Sequence, residues 1–322
     1  MISREDAYKK AFLIKETSLK EKNDIRYRQI ASFSDANPRI GEINRRLSAI
    51  GAEIAITALS GDLEKLARLQ YETTNLSEEK TEICQSAGIA DIVYDCPACN
   101  DTGYVHGKIC SCIHNLVKQI RMQDLAREFP VDECRFENFD LNYYPAEDSN
   151  GAAPRKKMTQ LLKLCREYTI GFDPKFSPNL LFMGNAGLGK THLSLAIVYE
   201  LTQKGFDVIY GSAYNLFSAM ENEHFTAKSQ DSYNAAINCD LLVIDDLGSE
   251  FITPYIKTLL YNIVNTRLLS KKPMIINTNL SMAEIENLYT PRIASRLIGS
   301  FTAKKFTGRD IRQLKAMEKF GS

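Results

Sequence analysis

The sequence predicts an α/β fold in which a central parallel sheet carries helices on both faces. Two observations support this prediction. From residue 179 onward, short apolar runs alternate with stretches of helical periodicity, a pattern typical of parallel strands connected by helices. Before residue 155 the chain instead shows an amphipathic helical pattern and a dense group of cysteines. We therefore expect an α-helical N-terminal module, a small zinc-binding segment and a C-terminal α/β domain.

The composition is that of an ordinary soluble protein, with 44% hydrophobic and 25% charged residues among 322. Forty basic residues balance forty acidic ones, so the overall charge does not indicate nucleic-acid binding. No apolar run approaches the ~20 residues of a membrane span, and the charged N-terminus lacks the apolar core of a secretion signal. Four of the eight cysteines lie singly, which favours a cytoplasmic location over a disulfide framework.

Residues 1–90 are predicted to form a helical, partner-binding module. Ile43, Leu47 and Ile50 follow the spacing of one helical stripe, and Asp62 is placed to cap a second helix. The stripe is either part of a core or a docking face for a partner helix, and the sequence does not distinguish these alternatives.

Residues 91–130 contain the cysteine group and a following helix. Two close pairs, ten residues apart, supply enough thiolates to close a tetrahedral structural Zn²⁺ site. The predicted zinc ligands are Cys96, Cys99, Cys110 and Cys112. Because a single residue separates the second pair, His106 or His114 remains an alternative to one thiolate. A catalytic zinc is not expected, since no nearby residue resembles a base beside an open coordination position.

A cluster of Asp, Ser, Asn, Gly and Pro ends a predicted linker over residues 131–154. A helix is predicted from Pro154 to Gly171, and it opens the α/β domain of residues 155–322. The four predicted strands cover residues 179–183, 207–210, 241–245 and 273–277.

The string GNAGLGKT follows the first strand and opens a predicted helix, the context of the phosphate-binding loop G-x-x-x-x-G-K-[ST]. Its glycines allow backbone amides to converge on phosphates at a helix N-terminus. We expect Lys190 to reach the β and γ phosphates and the Thr191 hydroxyl to hold Mg²⁺. The predicted nucleotide-binding residues are Gly184, Asn185, Ala186, Gly187, Leu188, Gly189, Lys190, Thr191 and His192.

Polar residues end the next two strands of the predicted sheet. Asp245 closes the run LLVID and is expected to hold Mg²⁺ directly or through water. Asp246 either orients or deprotonates the attacking water, or only caps the next turn. After the following strand, Asn279 is preferred over Asn277 and Thr278 as the amide that holds this water or the γ phosphate. The alternative, which is compatible with this role, is a strand-end turn that leads into a capping box of Ser281 and Glu284.

Arg292 and Arg296 lie four residues apart and therefore on one face of a short helix. Exposed arginines are commonly only solvated or paired. A guanidinium can also accelerate hydrolysis by neutralising charge on the transferred phosphoryl group. If Arg296 points away from its own site, it acts in a neighbouring subunit.

Together these motifs resemble those of the AAA+ ATPases in the DnaC/DnaI helicase-loader group, which includes the IstB transposition helpers. The strings that carry the resemblance are NLLFMGNAGLGKTHLSLAI, DLLVIDDLGSE, IINTNLS, RIASRL and GRDIR. FENFDLNYYP is similar to the segment that leads into the adenine pocket of the group. The resemblance covers roughly residues 91–315 and implies an AAA+ P-loop fold that binds ATP and Mg²⁺.

The resemblance also implies a role for each matching residue. The implied roles are Walker A for Lys190 and Thr191, Walker B for Asp245 and Asp246, sensor 1 for Asn279, arginine finger for Arg296 assisted by Arg292, sensor 2 for Arg312, and an adenine-pocket contact for Phe139. Most AAA+ proteins carry Glu where this chain has Asp246, so slow, partner-stimulated hydrolysis is expected. Only 26 residues follow Arg296, too few for a full helical lid.

A loader of this group implies three partners: single-stranded DNA, a replicative hexameric helicase gripped by the N-terminal region, and further copies of the chain. The segment Asn215–Asn234 lies where initiator-type relatives place a DNA-facing helix, and it offers Lys228, Phe225 and Tyr233. An IstB-like transposition helper, acting on DNA with a transposase, is the alternative. A protein that uses ATP only as a structural ligand is the third.

Overall fold

A computed structural model describes residues 3–89, 92–147, 151, 153–226 and 230–320. They form two compact units: residues 9–113, and residues 1–8 together with 114–322. Within the described residues, every helix is too short or too polar to cross a lipid bilayer.

Three long helices occupy the N-terminal part of the chain: α1 (Arg4–Ala36), α2 (Pro38–Ser60) and α3 (Leu63–Ser86). Gly61 adopts the left-handed conformation that ends α2, and Asp62 caps α3 by accepting a hydrogen bond from the Lys65 amide at 3.0 Å. Ile43 and Ile50 are fully buried. The predicted stripe is therefore core, the first of its two alternatives.

A short antiparallel hairpin, β1 (Tyr104–Val105) and β2 (Lys108–Ile109), precedes α4 (Ser111–Glu128). The remaining elements are α5 (Pro154–Ile170), β3 (Asn179–Met183), α6 (Lys190–Gln203), β4 (Val208–Ser212), α7 (Ala213–Phe225), α8 (Asp231–Asn238), β5 (Leu241–Leu247), α9 (Pro254–Leu269), β6 (Met274–Thr278), α10 (Met282–Leu288), α11 (Pro291–Ser300), β7 (Phe301–Lys305) and α12 (Ile311–Phe320).

The five strands β3 to β7 form one parallel sheet in the order β4-β5-β6-β3-β7. Separate apolar clusters fill its two faces, one beneath α5 and α6 and the other beneath α7, α9 and α11. Among the described residues only β7 and α12 follow α11. The predicted α/β fold, a central parallel sheet with helices on both faces, is thus confirmed.

The edge strand β7 was not predicted from the sequence. Its residues FTAKK show no clear alternation of apolar and polar side chains, which is the sequence signal of a half-buried strand, and only Phe301 is buried. By pairing with β3, β7 leads the chain back to the phosphate-binding loop, where the Phe306 amide donates to the Met183 carbonyl at 2.8 Å.

Candidate nucleotide-binding site and cysteine cluster

The carboxyl ends of β3, β5 and β6 meet at one edge of the sheet, because Met183 and Leu247 both pair with Thr278. The predicted phosphate loop leaves β3 at this edge and continues into α6, which begins at Lys190. A cavity of about 500 Å³ opens here. Its volume lies within the range of ordinary small-ligand sites.

Most of the predicted nucleotide residues surround this cavity. Its lining includes Phe139, Ala186, Gly187, Leu188, Gly189, Lys190, Thr191, His192, Asp245, Asp246, Asn279 and Arg312. Gly184, Asn185, Arg292 and Arg296 do not line it. The lining residues that the sequence did not suggest include Phe129, Tyr143, Tyr210 and Lys315. Lys315 lies three residues after Arg312, a helical spacing that could have indicated its position.

The phosphate loop is held between two neighbouring segments. Gly187 has a φ of 74°, and a Cβ on it would lie 2.0 Å from Asp310 Oδ1. Gly189 has a φ of 91°, and a Cβ there would lie 2.8 Å from the Tyr144 hydroxyl. Only glycine fits both the left-handed backbone and these close approaches.

The buried Lys190 ammonium lies at the centre of the loop. It donates to the carbonyl oxygens of Gly184 and Asn185, and to Asn279 Oδ1 at 2.7 Å. Burial lowers the pKa of Lys190, while Asp245 and Asp246 oppose this decrease. The two carboxylates thus favour the positively charged form of Lys190, the form that would bind phosphates.

The structure distinguishes the three candidate sensor residues. Asn279 bridges two predicted catalytic groups, since its Oδ1 accepts from Lys190 and its Nδ2 donates to Asp246 Oδ1 at 2.8 Å. Asn277 instead donates to Asp245 Oδ1 at 2.6 Å, and Thr278 donates to the Leu247 carbonyl at 2.7 Å. This geometry agrees with the preference for Asn279, and its role stays a prediction.

The two adjacent aspartates occupy different environments. Residues Ile244 to Leu247 of β5 span the same length as Ile276 to Thr278 of β6, so the pairing contains a bulge of one residue. Asp246 sits in this bulge with a φ of 54°. The bulge allows two consecutive carboxylates to serve the same edge of the sheet, although neighbouring strand residues normally point to opposite faces.

Aromatic residues form the opposite end of the cavity. Phe139 stacks on Tyr144 at 5.7 Å and contacts His192 edge-on at 5.2 Å between ring centroids. His192 Nε2 lies 2.7 Å from the Arg135 carbonyl oxygen, and burial lowers the pKa of this histidine. A neutral, flat and mostly apolar wall of this kind suits a nucleobase.

The start of α12 closes the cavity over the phosphate loop. The Ile311 amide donates to the Gly187 carbonyl at 3.0 Å, and Asp310 caps α12 by accepting from the Arg312 amide at 2.8 Å. Arg312 therefore lines the cavity from a single C-terminal helix. Its position agrees with the implied sensor role, which stays a prediction.

The two predicted finger arginines lie away from the cavity of their own chain. Arg296 donates from Nη2 to Asn265 Oδ1 at 2.6 Å and to the Tyr261 hydroxyl at 2.9 Å. Its guanidinium also lies 4.7 Å from the Tyr261 ring centre. Arg292 is exposed on the same helix.

The four predicted zinc ligands come together within residues 9–113. Their sulfur atoms all lie within 4.8 Å of one another, with Cys96–Cys110 at 3.7 Å and Cys99–Cys112 at 3.5 Å. Zn–S bonds of 2.3 Å place sulfurs about 3.8 Å apart in a tetrahedron. Among the described residues, neither candidate histidine joins the four cysteines. His106 is exposed in the hairpin turn, and His114 Nδ1 forms a hydrogen bond with the Tyr8 hydroxyl at 2.6 Å. The donor set fits a structural zinc ion.

Asp101 fastens the cysteine loop to α1. Its fully buried carboxylate accepts from the amides of Asp95 and Cys96 at 2.9 Å, and forms ion pairs with Lys15 and Lys22 at 2.9 Å. Burial opposes the charged form, but these donors outweigh it and keep the pKa of Asp101 far below its usual range. Asp101 therefore holds the cysteine loop against α1.

Comparison with known proteins gives one family and several relatives. The family model described as IstB-like ATP binding protein matches residues 118–299, more than half of the chain. The Escherichia coli (strain K12) protein named replicative helicase loader DnaC is 33% identical over 166 residues, which cover 51% of this chain and 62% of that relative. The protein of the same name from Buchnera aphidicola subsp. Schizaphis graminum (strain Sg) is 26% identical over 187 residues, covering 56% and 71% respectively. A solved crystal structure of the DnaC helicase loader is 23% identical, with a TM-score of 0.45, and covers 53% of this chain and 98% of that one.

Replacing Cys96 and Cys99 together with serine should abolish zinc binding, because two thiolates cannot complete the site. We expect metal analysis to find one zinc ion per wild-type chain and none in the variant. Residues 9–113 should then exchange amide hydrogens faster, while ATP binding is unchanged. Cys84→Ser, a buried cysteine of the same unit outside the group, should retain the metal. Loss of ATP binding in the double variant would contradict the separation of the two sites.

Proposed function

The chain belongs to the family of IstB-like ATP binding proteins, and we propose that it is an ATPase that loads a replicative hexameric DNA helicase onto single-stranded DNA. The observation that carries this proposal is the 33% identity to a protein named replicative helicase loader. The chain spans 62% of the length of that relative. A cytoplasmic site of action, where thiolates stay reduced, is part of the proposal.

We assign the helicase contact to the N-terminal part of the chain. The matched family region begins at residue 118, so the helices and the cysteine group lie before it. Within this proposal residues 1–90 are the partner-binding arm, residues 91–130 the zinc joint, residues 131–154 the approach to the adenine pocket and residues 155–322 the ATPase domain. Part of that approach, residues 148–150 and 152, lies outside the described residues.

The turn between α2 and α3 supports a docking role for the arm. Ile56, Leu59 and Leu63 are exposed by 69%, 91% and 77% respectively. Large apolar side chains that are exposed near one turn favour a protein-binding surface. A transposase partner would suit the IstB-like alternative, but the helpers that the core resembles usually lack such an N-terminal arm.

The residues around the cavity suit ATP binding and hydrolysis. In the proposed reaction Lys190 would bind the β and γ phosphates. The Thr191 hydroxyl, which donates to Asp245 at 2.9 Å, would hold Mg²⁺, and Asp245 would hold the ion directly or through water. When bound, Mg²⁺ neutralises charge on these phosphates. Asp246 accepts a proton from the attacking water, and Asn279 keeps this base in register with the Lys190 ammonium.

Hydrolysis is proposed to need a second copy of the chain. Arg296 does not line the cavity of its own chain, so we assign it, with exposed Arg292, to the nucleotide of a neighbouring subunit. The bonds to Tyr261 and Asn265 hold the Arg296 guanidinium in one orientation. Without a neighbour, turnover is expected to be slow.

We place single-stranded DNA beside the end of α7. Phe225 is 71% exposed there, and the rings of His224 and Tyr255 stack at 4.9 Å between centroids. Aromatic faces of this kind stack on bases without sequence preference. Tyr233 packs against the sheet cluster and is less available, and the suggested phosphate contact, Lys228, lies outside the described residues.

Phe225→Ala should weaken binding to an oligo-dT strand roughly tenfold, the effect of losing one base stack. Fluorescence anisotropy in the presence of a non-hydrolysable ATP analogue measures this affinity. Phe176→Ala removes an equally exposed phenylalanine at the opposite edge of the sheet and should leave the affinity unchanged. Equal affinities for both variants and the wild type would refute the assignment.

Arg296→Ala and Asp246→Asn should each lower ATP turnover, the former by on the order of a thousandfold. If the arginine acts in trans, mixing these two inactive variants restores part of the activity, because an Asp246→Asn subunit supplies Arg296 to the intact site of its neighbour. Steady-state phosphate release measures the recovery. A mixture as inactive as both parents argues for action within one chain. Wild-type protein that binds ATP but releases phosphate no faster than Asp246→Asn supports ATP as a structural ligand only.

Leu59→Glu should abolish binding to the replicative helicase without changing ATP binding, because it places a charge in the exposed apolar turn. Leu269→Glu, a 78% exposed leucine in the other unit, serves as the matched control. The assay is transfer of purified helicase onto a single-stranded DNA circle by the full-length chain and ATP. Wild-type protein that captures a transposase, and neither binds nor transfers the helicase, would favour the transposition helper.

A further inference from the structure

Tyr210 is a cavity residue to which no predicted role was assigned. It lies on β4, is 1% exposed, and belongs to the apolar strand that follows α6. Its hydroxyl donates to Asp245 Oδ2 at 2.5 Å. The ring packs edge-on against Phe129 at 4.6 Å between centroids. The ring packing and the hydrogen bond to Asp245 together fix the position of the hydroxyl.

A second side chain donates to the other oxygen of the same carboxylate. Asn277 Nδ2 donates to Asp245 Oδ1 at 2.6 Å. Ser194 holds this amide in place, because its Oγ lies 3.0 Å from Asn277 Oδ1 and 2.8 Å from Asn277 Nδ2. Ser194 and Asn277 are both fully buried. Because a carboxylate can only accept, the amide must present Nδ2 to Asp245.

Two further donors also reach Asp245. Oδ2 accepts from the Thr191 hydroxyl at 2.9 Å, and Oδ1 accepts from the Asp246 amide at 3.0 Å. Four donors distributed over the two oxygens restrict rotation of the carboxylate. Two of these donors, Tyr210 and Asn277, come from neighbouring strands and are independent of the phosphate loop.

We propose that Tyr210 is a positioning residue for the metal site, which it serves by fixing the Asp245 carboxylate from the neighbouring strand. The fixed carboxylate in turn orients the Thr191 hydroxyl, whose single proton it accepts, so that the oxygen lone pairs of Thr191 would be free to hold Mg²⁺. Asn277, held by Ser194, is the matching support on the second oxygen. This inference rests on the proposed binding of ATP with Mg²⁺ and does not depend on the helicase or on DNA.

The test compares nucleotide affinity with and without metal. Tyr210→Phe keeps the ring and its packing but removes the hydroxyl. We expect ATP affinity in Mg²⁺ to fall about tenfold, the effect of losing one hydrogen bond to a charged group, while affinity in EDTA is unchanged. The affinity of the protein–nucleotide complex for Mn²⁺, measured by electron paramagnetic resonance, should decrease by the same factor. Ser194→Ala, which releases the Asn277 amide, should act in the same direction more weakly.

Tyr168→Phe is the matched control, because this tyrosine is also buried and its hydroxyl has no hydrogen-bond partner among the described residues. It should match the wild type in both measurements. Equal losses of affinity in Mg²⁺ and in EDTA would assign Tyr210 a merely structural role, and an unchanged or increased metal-dependent affinity would also overturn the proposal. If the wild-type chain itself shows no metal-dependent ATP binding, the proposed function fails instead.

Discussion

The parallel pairing of β3, β5 and β6 is the constraint on which the candidate site depends. Parallel strands end at the same edge of a sheet, and here the pairing of Met183 with Thr278 and of Ser212 with Asp245 brings four strand ends together. The loop after β3 leads to the Lys190 ammonium, the cation proposed to bind phosphate. The ends of β5 and β6 contribute carboxylates and amides. The bonds among these groups span 32 to 89 residues of chain, so the site exists only when the sheet has formed.

The residues that could be predicted from the sequence are those whose signals are local. The phosphate loop, the Asp62 cap and the Ser281–Glu284 capping box, in which each residue bonds to the other's backbone amide, are contained in short strings. Helix α1 was not recognised individually, because its large side chains Leu13 and Ile14 are exposed and its burial relies on small alanines. No helical stripe marks such an element.

The residues that were missed depend on distant contacts. Tyr210 reads as one more apolar position of a buried strand, and its hydroxyl acquires a partner 35 positions away only after β4 pairs with β5. The single helix α12 was missed for a related reason. Its place over the phosphate loop is set by the Ile311–Gly187 hydrogen bond and by the return of the chain along β7, neither of which a short polar terminus reveals.

The different surroundings of two adjacent carboxylates explain how they can perform different tasks. Asp245 is 8% exposed and accepts four hydrogen bonds, so it cannot turn and suits a fixed metal site. Asp246 is half-buried and, among the described residues, accepts a side-chain hydrogen bond from Asn279. Its left-handed backbone costs on the order of 1 kcal/mol, which the bulge in β5 imposes. This backbone conformation brings Asp246 to Asn279, which donates to it at 2.8 Å and would hold it in the position of the proposed base. Removing the bulge would send this carboxylate to the opposite face of the sheet, so the irregular pairing of β5 with β6 is as necessary to the proposed chemistry as the carboxylate itself.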